Sequence, residues 1–320
     1  MSERVLITGA DGFVGRHLAS YLAEGEGAEV MGIDVRPPRS TGPWNGCGFE
    51  ICDILDGEAV SAMINRFQPD FVFHLAAQSS VRRSWEDPQL TYDIALKGQA
   101  NVVDALREAG VDARVHVACS AEEYGKVSEE DLPISEEQPL RPSSPYALSK
   151  VMQDFHAVFS HQAYGTKTII TRAFNMTGPG QSPAFVVSDF ARQIAEAEAG
   201  RREALMRVGN LEARRDFSDV RDLVGAYWLI LRKGSPGEAY NVCSGQDHSI
   251  KEILDTLLSM SKVPIEVQVD AKKLRKADIP VLRGDSSKMR ELVGWTPAIT
   301  LEDTLSDVLD WWRAQTSGGE

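Results

Sequence analysis

The stretch Arg4-Val5-Leu6-Ile7-Thr8-Gly9-Ala10-Asp11-Gly12-Phe13-Val14-Gly15-Arg16-His17-Leu18 decides the fold. Its first residues are an apolar run of strand length, and the segment from Arg16 reads as a helix with Leu18, Tyr21 and Leu22 on one face. Between strand and helix stand Gly9, Gly12 and Gly15. In that setting the first glycine permits a tight turn, the second removes a Cβ from the path of a pyrophosphate, and the third lets helix and strand pack closely. The free N–H groups and dipole of the helix then hold the phosphate charge. A second apolar run, Val30-Met31-Gly32-Ile33, ends in Asp34, about twenty residues past the last glycine, where an acid meets an adenosine ribose 2′-hydroxyl. The turn is therefore read as a dinucleotide site, with Gly9, Asp11, Gly12, Phe13, Val14 and Asp34 among its contacts.

Asp34 favours NAD, because a carboxylate there repels a 2′-phosphate. Arg36 and Arg39 follow at once and suit such a phosphate, so NADP stays open. Residues 49–54 read as a third strand that brings Asp53 and Ile54 toward the adenine. Residues 70–77 form a fourth, nearly continuous in apolar side chains as a strand buried on both faces should be. It ends in Leu75, Ala76 and Ala77, where a backbone can lie against a cofactor, and its His74 reads as a core or supporting residue rather than a catalytic one. Residues 90–109 have helical spacing, and 115–119 are a strand delivering Ser120-Ala121-Glu122-Glu123-Tyr124-Gly125. Ser144 with Pro145 opens a helix and places Tyr146 on its first turn, before a sixth strand at 168–172. Alternating strands and helices of this kind specify an α/β Rossmann fold, a doubly wound parallel sheet with ligands at the strand C-termini.

Composition narrows the partners. The chain has 320 residues, 42 % hydrophobic and 25 % charged, with a formal net charge of −13. That charge argues against nucleic acid or an anionic membrane as partner, and no apolar run is long enough to span a bilayer. Met1 to Arg4 lead directly into the first strand, so no secretory leader is expected. Cys47, Cys52, Cys119 and Cys243 have neither paired nor metal-ligand spacing, which points to no metal and to a reducing cytoplasm.

From Asn175 the texture changes. A glycine- and proline-rich loop covers 175–183, a helix follows through Glu198, and a basic turn at 209–217 carries Arg214 and Arg215. Helical patterns return at 222–231, after the capping box Ser249-Ile250-Lys251-Glu252, and from about Thr300. The expected division is a dinucleotide-binding domain of 1–174 plus about 212–245, and a smaller α/β substrate lobe of about 175–211 plus 246–320.

Tyr146 and Lys150 are four apart and share one helix face. An ammonium beside a phenol lowers its pKa toward neutrality, which makes Tyr146 a usable general acid or base. With Ser120 as a hydroxyl at a strand end, the set suits hydride transfer between a nicotinamide and a carbonyl.

The glycine turn, Ser120 ahead of Tyr124-Gly125, and Tyr146-x-x-x-Lys150 together resemble the extended short-chain dehydrogenase/reductase family, whose members modify nucleotide sugars. Within it the second half is similar to the GDP-mannose 4,6-dehydratase group, on Arg172-Ala173-Phe174-Asn175, Thr177-Gly178-Pro179-Gly180-Gln181, Val208 through Asp222, Leu274-Arg275 and Gly284-Asp285. The resemblance implies a Ser120, Tyr146, Lys150 triad, with Lys150 also on the nicotinamide ribose. It implies Asn175, Arg215 and Arg275 at a diphosphate, Val208, Asn210 and Leu211 near the base, and Ser79 and Asp278 as further substrate contacts. It also implies a homodimer paired through residues 90–109 and 146–163.

Three departures matter. Ala95 replaces the group's usual asparagine three residues before Gly98, and Arg275-Lys276-Ala277-Asp278 replaces an Arg-Pro-x-Glu. Ala121 stands where dehydratases carry a polar or acidic residue that protonates a departing 6-hydroxyl. Glu122 remains, the residue that abstracts a C5 proton in the dehydratases. The leading expectation is a nucleotide-sugar oxidoreductase that reduces C4 of a nucleoside-diphosphate 4-keto-6-deoxyhexose, GDP-linked by the resemblance, with NAD(P)H. The alternative is a dehydratase or epimerase that recycles a tightly held NAD, with Glu122 as base.

Overall fold

The computed structural model describes residues 2–39, 42–270 and 279–317. Strands β1 (Arg4–Thr8), β2 (Glu29–Asp34), β3 (Gly48–Ile51), β4 (Phe71–His74), β5 (Arg114–Ser120) and β6 (Lys167–Ala173) follow the expected alternation with helices. With a later strand, Ala239–Val242, they make a seven-stranded parallel sheet, in which that strand lies outside β6 and the order continues β5-β4-β1-β2-β3. Successive side chains of a strand point to opposite faces, and β1 shows it. Val5 and Ile7 join one core with Leu18 of helix Phe13–Ser20 and with Leu223 and Trp228 of helix Val220–Lys233. Leu6 joins another with Met63, Ile64, Val102 and Leu106 of helices Gly57–Phe67 and Gly98–Glu108. Each such fully buried side chain stabilises the fold by about 1.5–3 kcal/mol, which makes the register of β1 a strong constraint.

The strand order reverses between β4 and β2 across β1, and ligands of open α/β sheets bind beyond the strand ends at such a switch. The second half builds a smaller layer. Here β7 (Asn175–Thr177) pairs with β9 (Arg214–Asp219), which also pairs with β11 (Asp247–Ser249) and β13 (Val281–Leu282). Strand β8 (Leu205–Val208) pairs with β12 (Glu266–Val269), and the strand Ala239–Val242 of the large sheet is β10. Helices Val186–Glu198, Ile250–Ser259 and Leu301–Ser317 close a third core through Phe190, Ile194, Leu254 and Leu309. The capping box at Ser249 forms, its hydroxyl accepting the Glu252 N–H at 3.0 Å while Glu252 accepts the Ser249 N–H at 2.9 Å.

Two elements depart from the sequence pattern. The expected helix at 90–109 is broken into Pro88–Tyr92, a π-helical turn Asp93–Lys97, and Gly98–Glu108. Strand β3 stops at Ile51, leaving Asp53 on the turn that follows. Among the described residues, no helix is long and apolar enough to cross a membrane.

Candidate active site

The glycine turn is built by close approach. Gly9 has φ +66°, and a Cβ there would lie 2.7 Å from the Cα and N of Ala76. This is where β1 and β4 end side by side, with the Leu75 N–H donating to the Thr8 carbonyl and the Ala76 N–H to Thr8 Oγ1, both at 3.2 Å. A Cβ on Gly15 would stand 2.5 Å from the Ala10 carbonyl oxygen. Helix Phe13–Ser20 starts at Gly12 with no side-chain cap, so its first N–H groups face the turn without competition from a hydroxyl or carboxylate. Cradle, bare helix start and strand-end acid together fit a dinucleotide. Phe13 and Val14 open that helix, half-buried.

Asp34 does more than await a ribose. Its Oδ2 accepts the Asp11 N–H at 3.1 Å and its Oδ1 the Val35 N–H at 2.8 Å, so it braces the turn. Burial raises its pKa, and those backbone donors oppose the rise. The Asp11 carboxylate accepts from Arg39 Nε at 2.8 Å, while Arg36 is exposed. Asp53 is exposed and accepts the Leu55 N–H at 2.9 Å, whereas Ile54 is buried and its carbonyl accepts from Asn101. His74 is core as expected: its Nδ1 bonds Thr8 Oγ1 at 3.0 Å, and complete burial pushes its pKa down to about 3.

Ser120 ends β5, and the short 3-10 turn Ala121–Tyr124 is locked onto it by a reciprocal capping box. Ser144 Oγ accepts the Ala147 N–H at 3.0 Å and caps helix Pro145–Tyr164, so Tyr146 sits on the first turn as expected. Ser84 Oγ accepts the Tyr146 N–H at 3.0 Å from the facing helix Val81–Glu86. Ser120 is close enough to the Tyr146 hydroxyl to favour its ionised form. The fold thus brings Ser120 and Tyr146 together.

Lys150 is the exception. Its Nζ donates to the Ala118 carbonyl at 2.7 Å and to Gln153 Oε1 at 2.6 Å rather than to the phenol. The expected lowering of the Tyr146 pKa is accordingly absent, and the value is raised. Burial is the main cause, Glu122, Glu123 and Cys119 add to it, and the Ser120 hydrogen bond opposes it. A lysine lowers a neighbouring phenol by proximity, and the effect weakens as its charge is held further away.

The substrate residues divide. Ser79 lines a cleft of about 470 Å³ with Gln78, Ser80 and Arg83 on one side and Ser182 and Phe185 on the other. Asn175 opens β7, and Arg215 lies buried in the neighbouring β9 with its Nη1 donating to the Arg214 carbonyl at 2.8 Å. Val208 is fully buried in the third core, so only its backbone is placed to meet a ligand. The Asn210 carboxamide oxygen accepts the Glu212 N–H at 3.0 Å and shapes that turn. Arg275 and Asp278 lie outside the described residues.

Sequence reasoning passed over the support beneath the triad. Glu123 holds the Ser120 N–H, Gln153 holds Lys150, and Arg172 pairs with Asp154 at 2.8 Å. A signal existed: Lys150, Gln153 and Asp154 recur at spacings of three and four on one helix face, and two adjacent acids follow Ser120.

Comparison with known proteins agrees with this geometry. A family model described as GDP-mannose 4,6 dehydratase matches residues 6–308. GDP-6-deoxy-D-mannose reductase of Pseudomonas aeruginosa is 34 % identical over 98 % of this chain and 99 % of its own. GDP-mannose 4,6 dehydratase 2 of Arabidopsis thaliana is 30 % identical over 95 % of this chain and 85 % of its own. The solved structure of RMD from Pseudomonas aeruginosa complexed with NADPH superposes with a TM-score of 0.86, at 32 % identity over 98 % of this chain and 100 % of that one. A Thermus thermophilus UDP-glucose 4-epimerase complexed with NAD gives 0.87, at 30 % identity over 99 % and 100 %.

Proposed function

The chain belongs to the GDP-mannose 4,6-dehydratase family, an NAD(P)-dependent group of extended short-chain dehydrogenase/reductase enzymes acting on nucleotide sugars, and from that premise we propose that it reduces C4 of a GDP-4-keto-6-deoxyhexose. The observation that carries the reading is the pairing of Ser120 with Tyr146 next to an Ala121 that is 1 % exposed among apolar side chains. The site has a proton donor for a carbonyl oxygen and no side chain at position 121 to protonate a departing hydroxyl.

A nicotinamide cofactor, when bound, supplies the hydride to C4. Tyr146 gives its hydroxyl proton to the C4 oxygen, which completes the alcohol and leaves a phenolate. Ser120 donates a hydrogen bond to the same oxygen and shares the developing charge. The ammonium of Lys150, released from Ala118 and Gln153, stabilises that phenolate and reaches the nicotinamide ribose. Gly9, Gly12 and the start of the following helix hold the pyrophosphate, Asp34 the adenosine ribose, and Asp53 with Ile54 the adenine edge. Asn175 and Arg215 take the nucleotide-sugar diphosphate, with the turn through Val208 and Asn210 at the base and Ser79 at the sugar end. Arginine suits the diphosphate because its planar fork makes paired bonds to phosphate oxygens.

Two features support a second reading, a dehydratase or epimerase with internally recycled NAD: the half-buried Glu122 beside Ser120, and Asp34 at the ribose position. We also infer a homodimer through residues 90–109 and 146–163, the latter presenting Leu148, Phe155 and Phe159 on one face, all exposed in the single chain. We place the enzyme in the cytoplasm, where its four unpaired thiols stay reduced.

The experiment is a spectrum of the denatured protein for released NAD(H), then mass spectrometry with GDP-mannose and with the 4-keto-6-deoxy sugar. NAD(P)H oxidation only with the keto sugar, lost by about a hundredfold or more in Tyr146→Phe, is expected. Bound cofactor with loss of water from GDP-mannose, and no added NADPH, would refute the reductase.

A further inference from the structure

Beneath the reacting pair lies a sealed cluster that the mechanism does not use. The Cys119 sulfur and one carboxylate oxygen each from Glu123 and Asp154 all lie within 4.8 Å of one another, and all three residues are buried. A single guanidinium enters from β6. Arg172 Nε donates to Asp154 Oδ2 at 2.8 Å but stays 3.6 Å from Glu123 Oε2. Its Nη1 is directed to the Tyr124 hydroxyl and the Glu136 carbonyl, both at 3.2 Å. Lys150 borders the same space from the long helix, with donors committed to Ala118 and Gln153.

Two carboxyl groups thus face two cations, of which Arg172 hydrogen-bonds only Asp154 and Lys150 is hydrogen-bonded to Ala118 and Gln153. Glu123 is 0 % exposed and its Oε2 has no hydrogen-bond partner. An ionised oxygen left so would lack both water and a donor, which is far more costly than binding a proton. Its Oε1, meanwhile, accepts the Ser120 N–H at 2.9 Å. One end of Glu123 grips the residue whose hydroxyl works on the substrate oxygen, and the other end calls for a proton.

We propose that Glu123 is a positioning residue: kept neutral, it fixes Ser120 beside Tyr146, and loss of its proton to solvent slows proton transfer at that pair. The inference rests on the oxidoreductase reading of the same site. The groups facing Glu123 are Cys119 on β5, Tyr146, Lys150 and Asp154 on the long helix, Arg172 on β6, and Tyr124 on its own turn. Burial first, then the Asp154 charge, pushes the Glu123 pKa up to about 8, while burial keeps the Cys119 thiol neutral well beyond that. Ionised Glu123 opposes the phenolate that Tyr146 must become, since its charge raises the phenol further. The rate therefore falls as pH rises through the Glu123 pKa.

The test compares wild type with Glu123→Gln, whose amide keeps an acceptor for the Ser120 N–H and cannot ionise. In wild type, kcat with NADPH and the keto sugar should fall above about pH 8, and the variant should move that limb by about one pH unit or more, in kcat rather than KM. Infrared spectroscopy of the wild-type protein without substrate should show the carbonyl stretch of a buried, protonated carboxyl that disappears through the same pH range. An unshifted limb in a folded variant, or no such titrating band in wild type, would overturn the proposal. Absence of turnover with the band intact would instead count against the reductase reading and leave the protonated Glu123 standing.

Discussion

Replacing Arg172 by methionine tests the electrostatics that support the triad. Methionine keeps an unbranched apolar stem and removes the guanidinium, which is 8 % exposed and serves Asp154, the Tyr124 hydroxyl and the Glu136 carbonyl. Burial alone would lower the Arg172 pKa, but the Asp154 hydrogen bond and charge outweigh it and raise the value. Removing one partner of a buried pair destabilises by about 3–5 kcal/mol. A second route gives a similar figure. The abandoned carboxyl can be protonated, at about 1.4 kcal/mol for each pH unit above an ordinary carboxyl pKa near 4, or about 4 kcal/mol at pH 7. At pH 5 the same protonation costs about 1.4 kcal/mol, so the loss should shrink by nearly 3 kcal/mol. The sign follows from linkage: a folded carboxyl with a raised pKa binds a proton that the unfolded chain releases, so stability is present at low pH and lost as pH rises. Urea unfolding followed by circular dichroism at both pH values measures it. A loss under about 1 kcal/mol at pH 7, or one equal at the two values, would refute a sealed cluster in which Arg172 is the cation that Asp154 depends on.

Three further outcomes are expected. Gly15→Ala places a Cβ 2.5 Å from the Ala10 carbonyl oxygen, a backbone atom that cannot step aside without opening the turn. NADPH affinity, read by fluorescence titration, should fall by about tenfold or more with the far-ultraviolet spectrum unchanged, and an unaltered Kd would refute the cradle. Arg39→Ala frees Asp11 of its guanidinium partner, 2.8 Å away, and removes a cation from the ribose end of the site. The NADPH to NADH affinity ratio should drop by about fivefold or more, and a constant ratio would show that Arg39 only braces the turn. Phe155→Glu with Phe159→Glu puts two charges on a face where those rings are 62 % and 52 % exposed. Sedimentation should then show monomer against a wild-type dimer, and a variant that still dimerises would place the interface elsewhere.

The large sheet was legible because its signals are local. An apolar run, a glycine turn and a strand-end acid each lie within one segment, and the period of two in β1 sends Val5 and Ile7 to one core and Leu6 to the other. The caps at Ser144 and Ser249 were legible for the same reason. The small sheet was not, since β9 gathers β7, β11 and β13 from segments whose few residues carry no periodicity of their own. The direction of Lys150 was hidden as well. Spacing puts it on the Tyr146 face, but only the fold shows that the Ala118 carbonyl and Gln153 compete for its three donors.

Ala121 shows how a single position joins these levels. In the sequence it is a missing proton donor between Ser120 and Glu122. In the fold it is a packing residue, clustered with Tyr124, Ile134, Phe174 and Cys243 at 1 % exposure. A carboxyl or hydroxyl introduced there would have to bury a polar group among apolar neighbours, at a cost of about 1–3 kcal/mol without a partner. The 3-10 turn that directs Ala121 inward is the same turn that carries Glu123 back to the Ser120 N–H. Glu123 on that turn also fixes how much charge lies under Tyr146. An acid at position 121 would therefore disturb the anchoring of Ser120 before it could assist elimination. The chemistry open to this site is set by what the turn buries as much as by what it presents.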